Sequence, residues 1–431
     1  MNYQEALAYL DSLNTFGIKL GLVRITRLLK LLENPQNKYK TIHVTGTNGK
    51  GSTTAMLTSI LTNAKIKTGM YTSPHLVSYT ERMQIDGSYI SENEFADCIR
   101  IVKEKVEEMI AEGEENPTQF EVITAAAFFY FAKMQVEYAV IEVGLGGLLD
   151  STNVIIPEVS VITNVTLEHA ERCGGTLEGV AEHKAGIIKD GVPVVTAAKG
   201  IALEIIQEKA REKNADVFVA GEDFTSEFKS FATNKQCLTF NSGMVGVSST
   251  YCLGVLGEHQ IENSSIAIMT ALILATNEKR ITSEGMQKSL SEVSWAGRFE
   301  VMQQENEQIM IIDGAHNNAG AEVLRRNLDK YFPHAKIVFL LGILEDKDVS
   351  GIIHHLIHEE NVVVVTKPDS NRAAAPKKVA EMIFAKQVEA IEDIDDALKR
   401  AKELAANEKI LCVAGSLYLI GVVRSLLIQQ E

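Results

Sequence analysis

Directly after the apolar run Thr41-Ile42-His43-Val44, the chain reads Thr45-Gly46-Thr47-Asn48-Gly49-Lys50-Gly51-Ser52-Thr53. A β-branched run, a glycine-rich turn and a helix-compatible segment in this order are typical of a phosphate-binding loop. Glycines let backbone N–H groups approach phosphate oxygens, and the following helix contributes the positive end of its dipole. The lysine supplies a cation and the serine a hydroxyl for Mg²⁺. The sequence therefore predicts a nucleotide-phosphate site at four adjacent residues, Gly49, Lys50, Gly51 and Ser52.

The loop is shorter than the usual Walker A pattern, G-x-x-x-x-G-K-[ST]. Two residues, Thr47 and Asn48, separate the first two glycines, and Gly51 lies between the lysine and Ser52. One superfamily of ATP-dependent ligases carries such a short loop. The spacing therefore favours a ligase of that superfamily over other P-loop proteins.

The composition indicates a globular enzyme of two domains. A chain of 431 residues is too long for one ordinary core, and 45% of its residues are hydrophobic against 23% charged. The formal net charge of −15 argues against a nucleic-acid partner. Five scattered cysteines without a C-x-x-C pair favour a reducing compartment. The N-terminus lacks a signal-peptide pattern, and the longest apolar run, residues 410–423, is too short to span a membrane. We expect a cytoplasmic monomer with no membrane partner.

Strand-like and helix-like segments alternate through the first part of the chain. The β-rich runs at residues 65–71, 138–143, 158–163 and 192–196 are separated by helical patterns, as in the βαβ units of a mostly parallel sheet. A hairpin is expected around Asp86-Gly87, and Ser91 with Glu94 forms a helix capping box. Residues 228–256 predict a small antiparallel appendage. We interpret residues 1–296 as an α/β, P-loop-type ATP-binding domain.

The alternation begins again beyond a candidate hinge, Val293-Ser294-Trp295-Ala296-Gly297-Arg298. Strands are expected near Met310 and at residues 336–341, 361–366 and 410–414, with helices between them. Residues 297–431 are therefore predicted to form a smaller, Rossmann-like α/β domain at the C-terminus.

Polar side chains follow several predicted parallel strands. Glu142, Ser73 and His169 follow strands of the first domain, and Asp313 and His316 follow one of the second. Ligands bind at the carboxyl edge of such sheets, and a carboxylate there can bind the Mg²⁺ of a nucleotide. Asp313 could accept from a ribose hydroxyl and His316 could contact phosphate. Ordinary turns, a solvent-facing glutamate and a structural histidine remain the alternatives.

Taken together, these motifs resemble the folylpolyglutamate synthase/dihydrofolate synthase family of the Mur ligase superfamily. The resemblance covers nearly the whole chain, from Leu20-Gly21-Leu22-Val23-Arg24 to Ala414-Gly415-Ser416. Its most specific segments are residues 45–53, Ser73-Pro74-His75-Leu76, Thr118-Gln119-Phe120-Glu121 and residues 142–153. Further matches include His183-Lys184-Ala185-Gly186-Ile187 and Asp313-Gly314-Ala315-His316-Asn317. It implies an acid–amino-acid ligase that uses ATP and Mg²⁺, with two metal ions expected. The substrates would be L-glutamate and a folate-type carboxylate, either dihydropteroate or a tetrahydrofolate polyglutamate, joined through an acyl phosphate.

The resemblance also implies roles for individual residues. ATP would be bound by the phosphate loop together with Asn263, Arg298, Asp313 and His316. The Mg²⁺ ligands would be Ser52, Ser73, Glu142 and His169. Lys50, Lys184 and His169 would be catalytic, with Lys184 carried as a carbamate, although the residues alone would place that lysine on the surface beside Glu182. The pterin pocket would include Leu22, Val23, Arg24, Phe120 and Glu121.

Three positions depart from the family pattern. Leu148 stands where the family usually has arginine, Glu168 where it has aspartate and Asn318 where it has proline. Loss of an arginine near an anionic substrate bears on the identity of the acceptor more than on the use of ATP. One alternative is therefore a related Mur-type amide ligase for a different carboxylate. A P-loop ATPase switch is the other alternative. In such a protein, His169 and Lys184 would have no function.

Overall fold

The computed structural model describes residues 1–13, 17, 19–167, 170–232, 235–244, 246–303, 308–406 and 410–428. The chain forms two compact units. The first consists of Met1–Ser230, Cys237–Leu253 and His259–Val293, and the second of Phe231–Gln236, Gly254–Glu258 and Ser294–Glu431.

The first unit is built on a mostly parallel sheet. Its eight strands are β1 (Lys40–Thr45), β2 (Thr68–Tyr71), β3 (Met83–Ile85), β4 (Ser88–Tyr89), β5 (Tyr138–Glu142), β6 (Val159–Ile162), β7 (Val194–Thr196) and β8 (Val217–Val219). They lie in the order β4-β3-β2-β5-β1-β6-β7-β8. At one edge, β3 pairs antiparallel with both β2 and β4, and the other pairs are parallel. Strand β1 is therefore central, with the carboxyl ends of β5 and β6 on either side of the phosphate loop.

Helices cover this sheet. They are α1 (Tyr3–Ser12), α2 (Val23–Leu31), α3 (Lys50–Asn63), α4 (Glu92–Ala111), α5 (Gln119–Lys133), α6 (Leu177–Ala185), α7 (Ile201–Glu212), α8 (Glu258–Ala275) and α9 (Ser283–Glu292). The predicted capping box of α4 is confirmed, because the Ser91 hydroxyl accepts from the Glu94 N–H while the Glu94 carboxylate accepts from the Ser91 N–H. Helix α5 has the same device at Thr118 and Glu121.

The predicted hairpin at Asp86-Gly87 is also confirmed. Both residues have positive φ, 50° and 82°, as a tight turn between β3 and β4 requires. The strand expected at residues 65–71 begins later, at Thr68, because Lys65 adopts a left-handed conformation (φ 60°) just after α3.

A three-stranded antiparallel sheet forms the predicted appendage. Its strands are β9 (Thr225–Ala232), β10 (Lys235–Ser242) and β11 (Val247–Leu253). Cys237 and Cys252 form a disulfide between β10 and β11, a pair that the cysteine pattern, which favoured a reducing compartment, did not predict. The hairpin places them together although 15 residues separate them in sequence. Cys98, Cys173 and Cys412 are buried free thiols.

The second unit has a six-stranded sheet in the order β12-β13-β17-β14-β15-β16. Its elements are β12 (Glu300–Gln303), β13 (Ile309–Ile312), α10 (Asn318–Tyr331), β14 (Ile337–Leu341), α11 (Val349–Leu356), β15 (Val362–Val365), α12 (Pro376–Glu381), β16 (Gln387–Ala390), α13 (Ile394–Ala405), β17 (Ile410–Ala414) and α14 (Leu417–Ile428). Only β12 is antiparallel to its neighbour among the described strands. The predicted fold class is therefore confirmed for both units.

No helix in the described part of the chain is both long enough and apolar enough to cross a lipid bilayer.

Candidate active site

The phosphate loop has a backbone that glycine makes accessible. Gly46 and Gly49 have positive φ values of 151° and 84°. A Cβ at Gly46 would lie 1.8 Å from Thr163 Oγ1, and a Cβ at Gly49 would lie 2.2 Å from Asn263 Oδ1. Side chains are therefore excluded at both positions. Gly49 is the N-cap of α3, so the first N–H groups of the helix follow a residue without a side chain.

Lys50 folds back over this loop. Its Nζ donates to the carbonyl oxygens of Gly46 at 3.0 Å and Thr47 at 3.1 Å. The ammonium group is thus held beside the backbone that would surround a phosphate, where it can neutralise negative charge.

The end of β6 fixes the outer side of the loop. Asn164 Oδ1 accepts from the Asn48 N–H at 2.9 Å, and Thr163 Oγ1 donates to the Asn48 carbonyl at 2.6 Å. Neither residue was identified from the sequence, since their role depends on strand pairing between β1 and β6.

Helix α8 contributes a buried chain of amides. Gln260 Nε2 donates to Ser52 Oγ at 3.1 Å, and Asn263 Nδ2 donates to Gln260 Oε1 at 3.0 Å. Asn263, which the family resemblance places in the ATP site, therefore lies at the glycine turn next to Ser52. Gln260 belongs to the same cluster and was missed as a site residue because 208 residues separate it from Ser52.

Glu142 ends β5 beside the loop and is 5% exposed. Its Oε2 accepts from the Ser73 N–H at 3.1 Å, so two predicted metal ligands lie together. The turn after Ser73 is fixed by Glu81, whose carboxylate accepts the N–H groups of Leu76, Val77 and Ser78, each at 2.7 Å.

His75 lies in the same turn and is held as a neutral imidazole. Arg82 Nε donates to His75 Nδ1 at 2.8 Å, which leaves the ring proton on Nε2. Burial, together with the nearby Arg82, lowers the pKa of His75 to about 4.

A cavity of about 30 Å³ lies between these elements. Its lining includes Gly46, Lys50, Gly144, Gly146, Cys173 and Lys184. Lys184, in α6, is buried rather than on the surface, so the surface alternative was wrong. Burial raises the pKa of the Cys173 thiol, and the neighbouring Lys184 opposes that rise.

Asp150 organises the loop that follows Glu142. Its Oδ2 accepts from the Leu145 N–H at 2.9 Å, and its Oδ1 accepts from the Thr152 N–H at 2.9 Å and the Thr152 hydroxyl at 2.6 Å. Burial raises the pKa of Asp150, and these hydrogen bonds oppose the rise.

The predicted pterin residues lie at α2 and α5. Arg24 Nε donates to Glu121 Oε2 at 3.0 Å, and Phe120 packs so closely on Gly144 that a Cβ there would lie 2.4 Å from the ring. Leu22 is half-buried, and Val23 is 83% exposed. Phe120 thus connects this region to the loop after Glu142.

In the second unit, Asp313 caps the turn after β13. Its carboxylate accepts from the N–H groups of Phe299 and Ala315, both at 2.8 Å. Desolvation raises the pKa of Asp313, and Arg298 opposes the rise. His316 Nδ1 donates to the Gly314 carbonyl at 2.7 Å. Asp313 therefore caps an ordinary turn, as one of the two alternatives predicted. This role does not prevent its carboxylate from also binding a ligand.

The described residues therefore bring Lys50, Ser52, Glu142, Ser73, Asn263 and Lys184 to one edge of the first sheet. His169 and Glu168 lie outside the described residues. Mg²⁺ prefers oxygen ligands and usually takes one or two carboxylates from the protein. The Ser52 hydroxyl and the buried Glu142 carboxylate fit that ion.

Two protein families match the chain: the Mur ligase middle domain over residues 44–271, and the glutamate ligase domain of Mur ligases over residues 297–417. The dihydrofolate synthase/folylpolyglutamate synthase of Bacillus subtilis is 32% identical over 439 residues, which cover 98% of both chains. The chain belongs to the folylpolyglutamate synthase/dihydrofolate synthase family. Its predicted enzyme class, an acid–amino-acid ligase, is thereby confirmed.

Solved structures of this family agree with the fold. Folylpolyglutamate synthase from Thermotoga maritima superimposes with a TM-score of 0.89 at 36% identity, covering 100% of this chain and 97% of that chain. The Mycobacterium tuberculosis folylpolyglutamate synthase, solved with ADP and AMPPCP, has a TM-score of 0.86 at 31% identity, covering 99% of both chains.

Proposed function

We propose that this ligase uses ATP to join L-glutamate to a folate-type carboxylate, either dihydropteroate or a tetrahydrofolate polyglutamate. The observation that carries the proposal is the position of Lys50, beside the glycine turn and in one cavity with Lys184. The solved relative from Mycobacterium tuberculosis was complexed with ADP and AMPPCP, which supports the use of an adenine nucleotide by this chain. Residues 1–296 would be the ATP-binding domain and residues 297–431 the C-terminal ligase domain.

The reaction has two steps. The carboxylate oxygen of the acceptor attacks the γ-phosphorus of ATP, so that an acyl phosphate forms and ADP leaves. The amine of L-glutamate then attacks the acyl carbon, and the tetrahedral intermediate expels phosphate as the amide forms. Both steps bring negative groups together, so the barrier depends on fixed positive groups.

The chain supplies these groups from the loop and the neighbouring strands. The N–H groups at the start of α3 and the Lys50 ammonium would hold the β- and γ-phosphates. Ser52, Glu142, Ser73 and His169 would hold Mg²⁺, with two ions expected. Bound Mg²⁺ would neutralise the transferring phosphoryl group. Asn263, Arg298, Asp313 and His316 would bind the rest of ATP.

Lys184 is proposed to carry a carbamate. A buried second ammonium in a cavity with Lys50 would repel that lysine, whereas a carbamate carries a negative charge and provides oxygen ligands. Growth with carbon-13 bicarbonate should give a carbamate resonance that is absent from a Lys184→Ala variant.

The acceptor would lie against Phe120, Leu22 and Val23, near Arg24 and Glu121. An aromatic ring packed on a glycine offers a flat surface for a pterin. The segment at residues 20–24 favours an enzyme that accepts both dihydropteroate and folates. A cytoplasmic location and a monomeric state are part of the proposal, and light scattering tests the latter.

One assay separates this function from its alternatives. The full chain is incubated with ATP, Mg²⁺ and L-glutamate, with dihydropteroate or tetrahydrofolate, and both ADP and the amide product are measured. Acceptor-dependent amide formation is expected with at least one of the two. Amide formation only with another carboxylate would indicate a different Mur-type ligase. ADP release without any amide would indicate an ATPase switch. Lys50→Ala should lower the turnover roughly a hundredfold or more while the fold remains intact.

A further inference from the structure

His43 is a fully buried histidine in the middle of β1, and the proposed chemistry does not use it. It is 0% exposed, and burial lowers its pKa to about 3, with Lys189 adding to the effect. Its Nε2 lies 2.8 Å from Thr152 Oγ1, whereas its Nδ1 is buried without a hydrogen-bond partner. A buried ring nitrogen without a hydrogen-bond partner lowers the stability of the folded protein. Keeping a histidine at this position therefore reduces stability.

The direction of each hydrogen bond follows from the donors. The Thr152 hydroxyl has one proton, and it donates that proton to Asp150 Oδ1 at 2.6 Å. The same oxygen must therefore accept from His43, so the neutral imidazole carries its proton on Nε2. Asp150 in turn accepts the N–H groups of Leu145 and Gly144. A continuous chain of hydrogen bonds thus runs from β1 to the loop that follows Glu142.

A second contact from the same strand reaches the same loop. Thr45 Oγ1 donates to the Gly146 carbonyl at 2.7 Å. His43 and Thr45 are two residues apart, so their side chains lie on one face of β1. That strand leads directly into the phosphate loop, and Gly144 and Gly146 line the cavity that contains Lys50 and Lys184.

We propose that His43 is a positioning residue that acts through Thr152 and Asp150 to hold the backbone of Gly144 and Leu145 in register with the phosphate loop. The role in turnover rests on the proposed function, because it assumes that the phosphates of ATP lie in this cavity. The hydrogen-bond chain itself does not.

The test removes one hydroxyl and leaves the side-chain shape unchanged. Thr152→Val breaks the chain, and Thr152→Ser keeps it. Thr41→Val is the matched control, since Thr41 is equally buried, lies in β1, and its hydroxyl contacts the Ile156 carbonyl at 3.5 Å, outside the chain of bonds. Thr152→Val should lower kcat roughly tenfold or more, with the KM of the acceptor unchanged, and Thr152→Ser should restore it. Turnover of Thr152→Val equal to that of Thr41→Val would overturn the proposal.

A measurement on the wild-type protein keeps the inference testable if a variant fails to fold. Nitrogen-15 NMR of the histidine rings reports which nitrogen carries the proton. We expect the Nε2–H tautomer at His43 and slow hydrogen exchange at the Leu145 amide, neither of which requires turnover. The Nδ1–H tautomer would overturn the inference while leaving the ligase function intact. An inactive wild-type enzyme with the expected tautomer would instead count against the proposed function.

Discussion

Arg24 and Glu121 are joined by a hydrogen bond of 3.0 Å between Nε and Oε2, although 97 residues separate them in sequence. The Glu121 side chain is 1% exposed and the Arg24 side chain 13%. The same Oε2 also accepts the Thr118 N–H and hydroxyl, whereas Oε1 has no partner. The arginine therefore compensates a buried charge and connects α2 to the start of α5, where Phe120 lies.

We predict that Arg24→Ala lowers the free energy of unfolding by about 3 kcal/mol, because it leaves the Glu121 carboxylate buried without a cation. The KM of the acceptor should rise roughly tenfold while that of ATP is unchanged. Urea unfolding and initial-rate kinetics measure both effects. Arg27→Ala is the control, since Arg27 is on the same helix but pairs with the more exposed Glu112 and Glu114. Equal effects of the two substitutions would contradict the role given to Arg24.

Leu148 provides a test of acceptor choice. Its side chain is 43% exposed in the loop next to Gly147, at the position where the family usually has arginine. We expect Leu148→Arg to lower the KM of a polyglutamylated acceptor roughly fivefold, because an added cation attracts its carboxylates. The KM of dihydropteroate, which has one carboxylate, should change less. Leu149→Arg is the matched control at 38% exposure. If the KM of the polyglutamylated acceptor falls equally in both variants, the preference for that acceptor depends on net charge and not on position 148.

Local patterns made the phosphate loop and the strand-end Glu142 predictable from the sequence. The glycine turn needs specific residues at fixed spacing, and buried strands are β-branched. The disulfide between Cys237 and Cys252 and the contact between Gln260 and Ser52 could not be predicted in the same way. Each depends on strand register or helix packing between distant segments, which no local pattern encodes.

The short strands at the sheet edges likewise could not be predicted from local sequence patterns. Strand β12 is only four residues long, and its position is set by antiparallel pairing with β13. Lys184 is a further case, since its burial depends on the packing of α6 against the loop containing Gly147. A lysine in a helical pattern carries no such information by itself.

Glu142 is the residue through which the metal requirement can be tested. Glu142→Gln keeps an acceptor for the Ser73 N–H but removes the negative charge, so we expect turnover to fall roughly a hundredfold. Binding of Mn²⁺ in the presence of ADP, followed by electron paramagnetic resonance, should weaken in parallel. Glu137→Gln is the control near the other end of β5, where Glu137 pairs with Arg280 at the surface. Unchanged Mn²⁺ binding in Glu142→Gln would remove this residue from the metal site.

His43 also gives a prediction for stability against pH. Its pKa is about 3 in the folded protein against 6.5 ordinarily, so the unfolded chain binds a proton that the folded chain excludes between these values. Stability due to this residue is complete above pH 6.5 and is lost as the pH falls towards 3. For one proton, the free energy of unfolding changes by up to about 1.4 kcal/mol per pH unit.

We therefore predict that His43→Gln makes the free energy of unfolding less dependent on pH between about pH 6 and pH 4. The slope, not the absolute stability, is the measured quantity, because the substitution can itself disturb the core. Urea unfolding at a series of pH values provides it. His354→Gln, which changes an exposed histidine of α11, should keep the wild-type slope. A His43→Gln slope equal to the wild-type slope would mean that folding does not lower the pKa of His43, so that both ring nitrogens would carry protons over part of this range although Nδ1 has no hydrogen-bond partner.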